Sequence, residues 1–244
     1  MSYFHLIRIN KVKLLLILSG LLIAISLLIN YSSEWDRTQI INELEMVGNN
    51  YLKENEILFY LKDSIIGQEK SSIVLEDIEN AIIKNPYIKQ ISASFQTNKL
   101  VRVKVEERVP IAYLEKRGDI LYIDEEFKIL PYRVFEVYTD LPLFYGNTED
   151  IGLQKSLVEL IKMINDEESG ILKLLISEIH LKNDNLISLV TNDGLNIKFG
   201  RIENINKKLE KLLVFWETKL LRTQISSIEY IDITWLNKVI VKST

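Results

Sequence analysis

Catalysis and metal binding need particular residue types, and this chain of 244 residues is poor in them. It has no cysteine and two histidines, His5 and His180. Without thiols there are no disulfides, thiolate zinc sites, iron-sulfur clusters or cysteine nucleophiles. Two imidazoles are too few for a histidine metal cage or a paired imidazole acid/base system within one chain. Neighbouring carboxylates stand at Glu106-Glu107 and Glu125-Glu126, the residue type that works in glycoside hydrolysis. Adjacent side chains on a strand point to opposite faces, so neither pair converges on a substrate, and both are expected as solvated surface. His180 stands beside Glu178 and Lys182 on the polar side of an alternating strand and is expected to be exposed. There is no Ser-centred elbow and no metal-ligand motif. The expectation is a protein without catalytic residues, metal, cofactor or small-molecule substrate.

The residues that could work by binding are Trp235, Leu236, Asn237, Lys238, Val239, Ile240 and Val241. Lys238 to Lys242 reads as a strand, and a chain that ends on a strand can leave an open edge of unpaired backbone groups. Such an edge accepts a partner strand by β-augmentation, with Trp235, Leu236 and Val239 as side-chain anchors. The competing expectation is an internal strand with Trp235 in the core. The residues alone leave both readings open, with these seven as the candidate partner-binding site where the edge is free.

The elements that must position them begin at the other end. Leu14 to Ile29 is a run of 16 residues without a charge. At about 1.5 Å per residue it covers roughly 24 Å of a hydrocarbon core about 30 Å thick. Lys13 can snorkel and Tyr31 can sit at the interface to complete the span. No A-x-A-like site follows the run, which favours an uncleaved anchor over a signal peptide. A run apolar on all sides and preceded by cations is a poor candidate for a buried core helix. Arg8, Lys11 and Lys13 precede it and Glu34, Asp36 and Arg37 follow, so the short tail is expected to be cytoplasmic and the bulk outside the cytoplasm.

With 47% apolar and 26% charged residues, nine Gly and four Pro, the chain can build a hydrophobic core and is neither disordered nor collagen-like. After residue 31 there are 27 cations and 34 anions, which gives no electrostatic footprint for nucleic acid.

Beyond the span, residues 39 to 47 read as a strand ended by Gly48-Asn49-Asn50. Ile57 or Leu58, Leu61 and Ile65 mark one helix, and Val74, Ile78, Ala81 and Ile82 mark a second, stopped by Pro86. Ile91, Ala93 and Phe95, then Val101, Val103 and Val105, alternate with polar residues as a hairpin turned at Thr97-Asn98. The order β-α-α-β-β implies a small sheet with one face covered by two helices.

From Val109 the strands have longer returns: 111 to 115, then 120 to 130. Leu153, Leu157, Leu160, Ile161 and Ile164 form a helical face ended by Gly170. Strands follow at about 176 to 182, 186 to 191 and 195 to 199, the last two joined at Asp193-Gly194. Ile205, Leu209, Leu212, Leu213, Trp216 and Leu220 line the apolar side of a long helix, with Lys207, Lys208, Glu210 and Glu217 on the other. Strands at 228 to 235 and 238 to 242 complete the pattern.

In this order the features resemble the FtsQ/DivIB family of bitopic cell-division proteins with a POTRA domain. The resemblance rests on Val47-Gly48-Asn49, Asn85-Pro86-Tyr87-Ile88 and, most specifically, Glu107-Arg108-Val109-Pro110-Ile111-Ala112. Tyr122-Ile123-Asp124, Leu141-Pro142 with Gly146, Phe199-Gly200-Arg201 and Tyr230-Ile231-Asp232-Ile233 add to it. Two positions depart from the family pattern. Phe127 stands where a glycine is usual, and Thr234-Trp235 stand where Arg-Tyr is common.

The resemblance implies an α+β protein: a cytoplasmic tail over 1–13, a transmembrane helix over 14–31, a POTRA-like domain over 36–107, and a mostly antiparallel β domain with two helices over 108–244. It implies a non-catalytic divisome scaffold in the cytoplasmic membrane at the septum. Such a scaffold would bind FtsB- and FtsL-like proteins, dock other division proteins through its POTRA-like domain, and connect them to septal peptidoglycan synthesis. A membrane-anchored peptidoglycan hydrolase would need a convergent carboxylate pair or metal site. A POTRA-type outer-membrane chaperone would need a following barrel, which helices at 153 to 167 and 204 to 221 interrupt.

Overall fold

The computed structural model describes residues 11–135, 140–166, 168, 170–218 and 228–243. His5, Arg8 and Leu220, named above, lie outside the described residues, as do the expected helix bounds at 167 and 221. The chain divides into two compact units, Met1–Lys84 with Gln90–Glu106, and Asn85–Lys89 with Glu107–Thr244.

The first unit opens with α1, Lys11–Arg37, in which Lys13–Arg37 contains an 18-residue stretch of mean hydropathy 2.4 and is long and apolar enough to cross a membrane. Lys70 Nζ holds the end of this helix through Asp36 at 2.5 Å. The first strand, β1, is shorter than its pattern and spans Glu43–Val47. Ile40 and Ile41 instead bond to Glu69, Gln68 and Gly67, which takes their backbone groups out of the ladder. Two helices follow, α2 (Glu54–Ile65) and α3 (Leu75–Ile82), with a 3-10 turn at Lys70–Ser72 between them. Of the expected apolar stripe, Leu58, Ile65, Ile78 and Ile82 are buried. Val74 is the exposed N-cap of α3, and Ala81 is also exposed.

The hairpin strands are β2 (Ile88–Phe95) and β3 (Leu100–Glu107), and β3 is central in the order β1-β3-β2. Its pairing with β1 is parallel, from Glu43↔Leu100 to Val47↔Lys104, because two helices intervene in sequence. Val101, Val103 and Val105 are buried, as alternation requires. Gly48 turns the chain away from β1 with φ +88°, and a Cβ there would run into the backbone oxygen of Val105. Gly48→Ala combines a left-handed residue with a backbone collision, so it is expected to cost at least about 2 kcal/mol. Thermal unfolding of the first unit checks this; an unchanged Tm would disprove the close approach.

Among the described residues the second unit carries one sheet of nine strands. In sequence these are β4 (Pro110–Lys116), β5 (Asp119–Asp124), β6 (Ile129–Pro131), β7 (Leu143–Tyr145), β8 (Ile176–Leu181), β9 (Leu186–Thr191), β10 (Asn196–Arg201), β11 (Ile228–Asp232) and β12 (Ile240–Ser243). Their spatial order is β12-β11-β10-β9-β8-β7-β4-β5-β6. Five of the eight neighbouring pairs are antiparallel, and β4·β7, β7·β8 and β10·β11 are parallel. The helices α4 (Ile151–Asn165) and α6 (Ile205–Thr218) pack with the inward residues of the sheet, burying Leu157, Leu160, Ile161, Leu209 and Leu212 with Phe144, Ile179, Leu189, Ile197, Phe199 and Ile231.

Several expectations change here. The run from 120 to 130 is not one strand: it folds into β5, a turn and β6, with Phe127 at φ +59°. Asp124 builds that turn, its Oδ1 accepting from the N–H of Glu126 at 2.9 Å and of Lys128 at 2.8 Å. Gly170 does not end α4, which stops at Asn165. With φ +68° it precedes an additional short helix, α5, Ile171–Leu175. Lys208, expected on the polar side of α6, is 1% exposed. Trp216, expected in the core, packs against the core's rim and is half-buried. Neither final strand fills its pattern: β11 stops at Asp232 and β12 starts at Ile240, so Trp235 and Lys238 lie in the connection.

Candidate partner-docking surface

β12 is the outermost described strand beside β11, and all four of its residues are exposed, in contrast to β11, where Ile231 is fully buried. The ladder runs antiparallel through Tyr230↔Lys242, Ile231↔Val241 and Asp232↔Ile240. One edge of β12 is therefore taken by β11, and the other carries the outward-facing backbone groups of an edge strand. Both side-chain faces are open to solvent, with Ile240 and Val241 each more than a third exposed.

The connection from β11 brings the remaining expected residues to this edge. Trp235 is 56% exposed and Leu236 43%, so Trp235 is not a core residue. Lys238 sets its ammonium 5.2 Å from the Trp235 ring centroid. Asn237 is exposed, whereas Val239 is half-buried and packs against the core cluster. Asp232 Oδ1 accepts from the Thr234 N–H at 2.9 Å and starts the turn. The structure thus brings the seven residues to one rim while separating their roles: Val239 anchors the rim, and the other six present it.

The alternation of β12 could not reveal what holds the rim in place. Lys211 on α6 donates to the carbonyls of Ile233, Trp235 and Lys238. Burial pushes the pKa of Lys211 below that of an ordinary lysine, with Asp232 opposing the shift. Burial does the same at Lys208, whose ammonium bonds to the carbonyls of Phe199 and Arg201. At the exposed end, the hydrogen bond from Lys242 to Glu229, 2.7 Å long, raises the Lys242 pKa. A groove of about 500 Å³ lies alongside, lined by Val214, Phe215 and Lys211 of α6 and by Val239.

Of the carboxylates considered for acid/base chemistry, Glu125 and Glu126 are engaged in ion pairs. Glu125 pairs with Lys89 at 3.0 Å and Lys162 at 3.4 Å, and these hydrogen bonds hold its pKa below the usual carboxylate value. Glu126 is held low by its hydrogen bond to Arg108, at 2.7 Å. Burial works against the Arg108 charge, yet hydrogen bonds to Glu126 and Asp124 raise its pKa above the ordinary value. His180 is half-buried rather than exposed: it bonds to Glu178 at 2.6 Å and stacks on Tyr145 at 4.5 Å. Among the described residues no group of three or more His, Asp or Glu is placed to hold a metal ion.

Among the described residues, one helix long and apolar enough to cross a membrane precedes a three-stranded unit of β-α-α-β-β order, the POTRA architecture, and a nine-stranded sheet with an exposed edge. The family model for the FtsQ-type POTRA domain matches residues 40–108, and the model described as FtsQ/DivIB, C-terminal related, matches residues 109–242. The chain belongs to the FtsQ/DivIB family of cell-division proteins.

Cell division protein FtsQ of Geotalea daltonii is 28% identical over 177 residues, covering 69% of this chain and 63% of that protein. FtsQ of a Geobacter species is 26% identical over 185 residues, covering 72% of this chain and 66% of that protein. The chain thus matches slightly less than two thirds of each relative's length. The solved major extracytoplasmic domain of DivIB from Geobacillus stearothermophilus aligns at 18% identity with a TM-score of 0.34, covering 49% of this chain and 99% of that one.

Proposed function

We propose that this chain acts by binding, as a single-pass scaffold of the bacterial divisome. Residues 1–13 form the cytoplasmic tail and 14–31 the span. The domains over 36–107 and 108–244 lie outside the cytoplasm at the septum. The sheet domain captures an FtsB/FtsL-like partner and links it to septal peptidoglycan synthesis, while the POTRA domain docks other division proteins. The observation that carries this reading is β12, an exposed edge strand next to the exposed Trp235 and Leu236. The edge supplies main-chain hydrogen bonds, and the aromatic and aliphatic side chains supply anchorage.

Adjacent residues of an edge strand turn their N–H groups to opposite sides, so proline at Val241 and at Lys242 separates two effects. One substitution removes a bond to β11 and lowers stability. The other removes an outward donor and weakens the partner with the domain intact. Trp235→Ala is expected to cost about 2 kcal/mol of binding if Trp235 sits centrally in the contact. Calorimetry with the full chain in nanodiscs and the partner's extracytoplasmic segment decides the matter, with circular dichroism reporting folding. Affinities within twofold of wild type for all three folded variants would place the partner elsewhere.

A further inference from the structure

Between β11 and β12 the chain runs through a connection without regular structure, and such a segment loses backbone entropy when it is ordered. Its local bonds are few: the Thr234 N–H on Asp232, and the Lys238 ammonium over the Trp235 ring. The larger hold comes from outside the connection: the Ile233 N–H donates to Lys198 O on β10 at 3.0 Å, and Lys211 holds the rest. Lys211 Nζ donates to Ile233 O at 3.1 Å, to Lys238 O at 3.1 Å and to Trp235 O. An ammonium has three N–H donors, and here all three meet carbonyls of one loop.

A second lysine on the same helix braces the neighbouring strand. Lys208, three residues earlier, donates to Phe199 O at 3.1 Å and to Arg201 O at 2.7 Å. Between those two acceptors Gly200, at φ +79°, lies so close to Thr234 that a Cβ would meet Thr234 Cγ2 at 2.8 Å. The end of β10 and the start of the connection are therefore in contact, and each is tied to α6 by a lysine.

We infer that Lys211 is a positioning residue for the docking rim: by gathering three carbonyls it sets the path of residues 233–238 and so the direction in which Trp235 and Leu236 project. The inference rests on the reading that this rim binds the partner. It adds that the rim is pre-shaped by α6, which lowers the ordering cost of binding. Removing the clamp therefore weakens the partner without unfolding the sheet. Lys211→Met keeps the aliphatic stem and relieves the cost of burying a charge, so the fold survives while the loop loses its organiser.

Amide hydrogen exchange on the full chain in nanodiscs, with no partner present, tests the clamp by itself. In Lys211→Met the amides of residues 233–238 are expected to exchange about tenfold faster, with β8 and β9 unchanged. Lys211→Arg, which keeps donors at the position, restores part of that protection. Titration of the partner segment is then expected to show an affinity loss of about tenfold in Lys211→Met at unchanged β8 and β9 protection. Unchanged exchange at 233–238 overturns the inference, and so does a loss of protection spread evenly over the sheet, which would make Lys211 a general structural residue. Faster exchange at 233–238 together with unaltered partner affinity leaves the clamp standing and refutes the rim as the docking site.

Discussion

Asp124→Ala is expected to destabilise the sheet domain by about 3–5 kcal/mol, the cost of breaking a buried ion pair from one side. The carboxylate is 1% exposed and the Arg108 side chain 10%, and they meet at 2.6 Å. Arg108 would keep Glu126 at 2.7 Å, but that partner is half-exposed and cannot compensate a charge held that deep. The same substitution takes the acceptor from two backbone N–H groups in the turn that carries Phe127 at φ +59°. A left-handed conformation at an aromatic residue persists only where its surroundings impose it. Here those are the Asp124 acceptors and the contact of the Phe127 ring with Phe144, centroids 5.9 Å apart. Asp124→Asn retains one acceptor for the turn and loses the charge, so its cost should fall between wild type and alanine. At about 2–4 °C per kcal/mol for a domain of this size, the alanine variant should melt on the order of 10 °C lower. A shift under about 2 °C would show that the pair contributes nothing net.

Phe199→Ala should have a comparable effect, about 3–5 kcal/mol, because the ring is fully buried in the cluster beneath α6. Its loss also removes the aromatic face 4.7 Å from the Lys208 ammonium, leaving a buried cation with carbonyl partners alone. β10 supports β11, and β11 supports β12, so partner binding is expected to weaken together with stability. Urea denaturation should show a lower midpoint at an unchanged slope, since the folded state remains compact. A loss below about 1 kcal/mol would mean that α6 closes over the gap. Trp216, which shares the apolar face of α6, is half-buried and should cost less on truncation to alanine.

The span, the β-α-α-β-β order and the two long helices of the sheet domain were legible because each is a periodicity. An uncharged run of 16 residues, valines alternating at 101, 103 and 105, and leucines at helical spacing each record which face avoids water. The family was legible for a related reason: its motifs mark turns and junctions where few residues fit, such as Gly48 under the Val105 carbonyl. The candidate rim was named from an alternating segment, and the structure keeps those seven residues together. Their exposure and supports came only from the tertiary structure.

What periodicity cannot encode is which partner a polar group will meet. Lys208 reads as surface because it stands with Lys207, Glu210 and Glu217 on the side away from the apolar stripe, yet the end of β10 presents two carbonyls that draw its ammonium inside. Nothing in the spacing sets Lys211 apart, and it becomes the centre of the rim only when β11 and its connection cross α6. The break at Phe127 was hidden because apolar residues continue on both sides of a turn that Asp124 makes through hydrogen bonds. Burial patterns are written along the chain residue by residue. The pairing of a lysine with carbonyls 22 and 27 positions away exists only after the sheet has assembled.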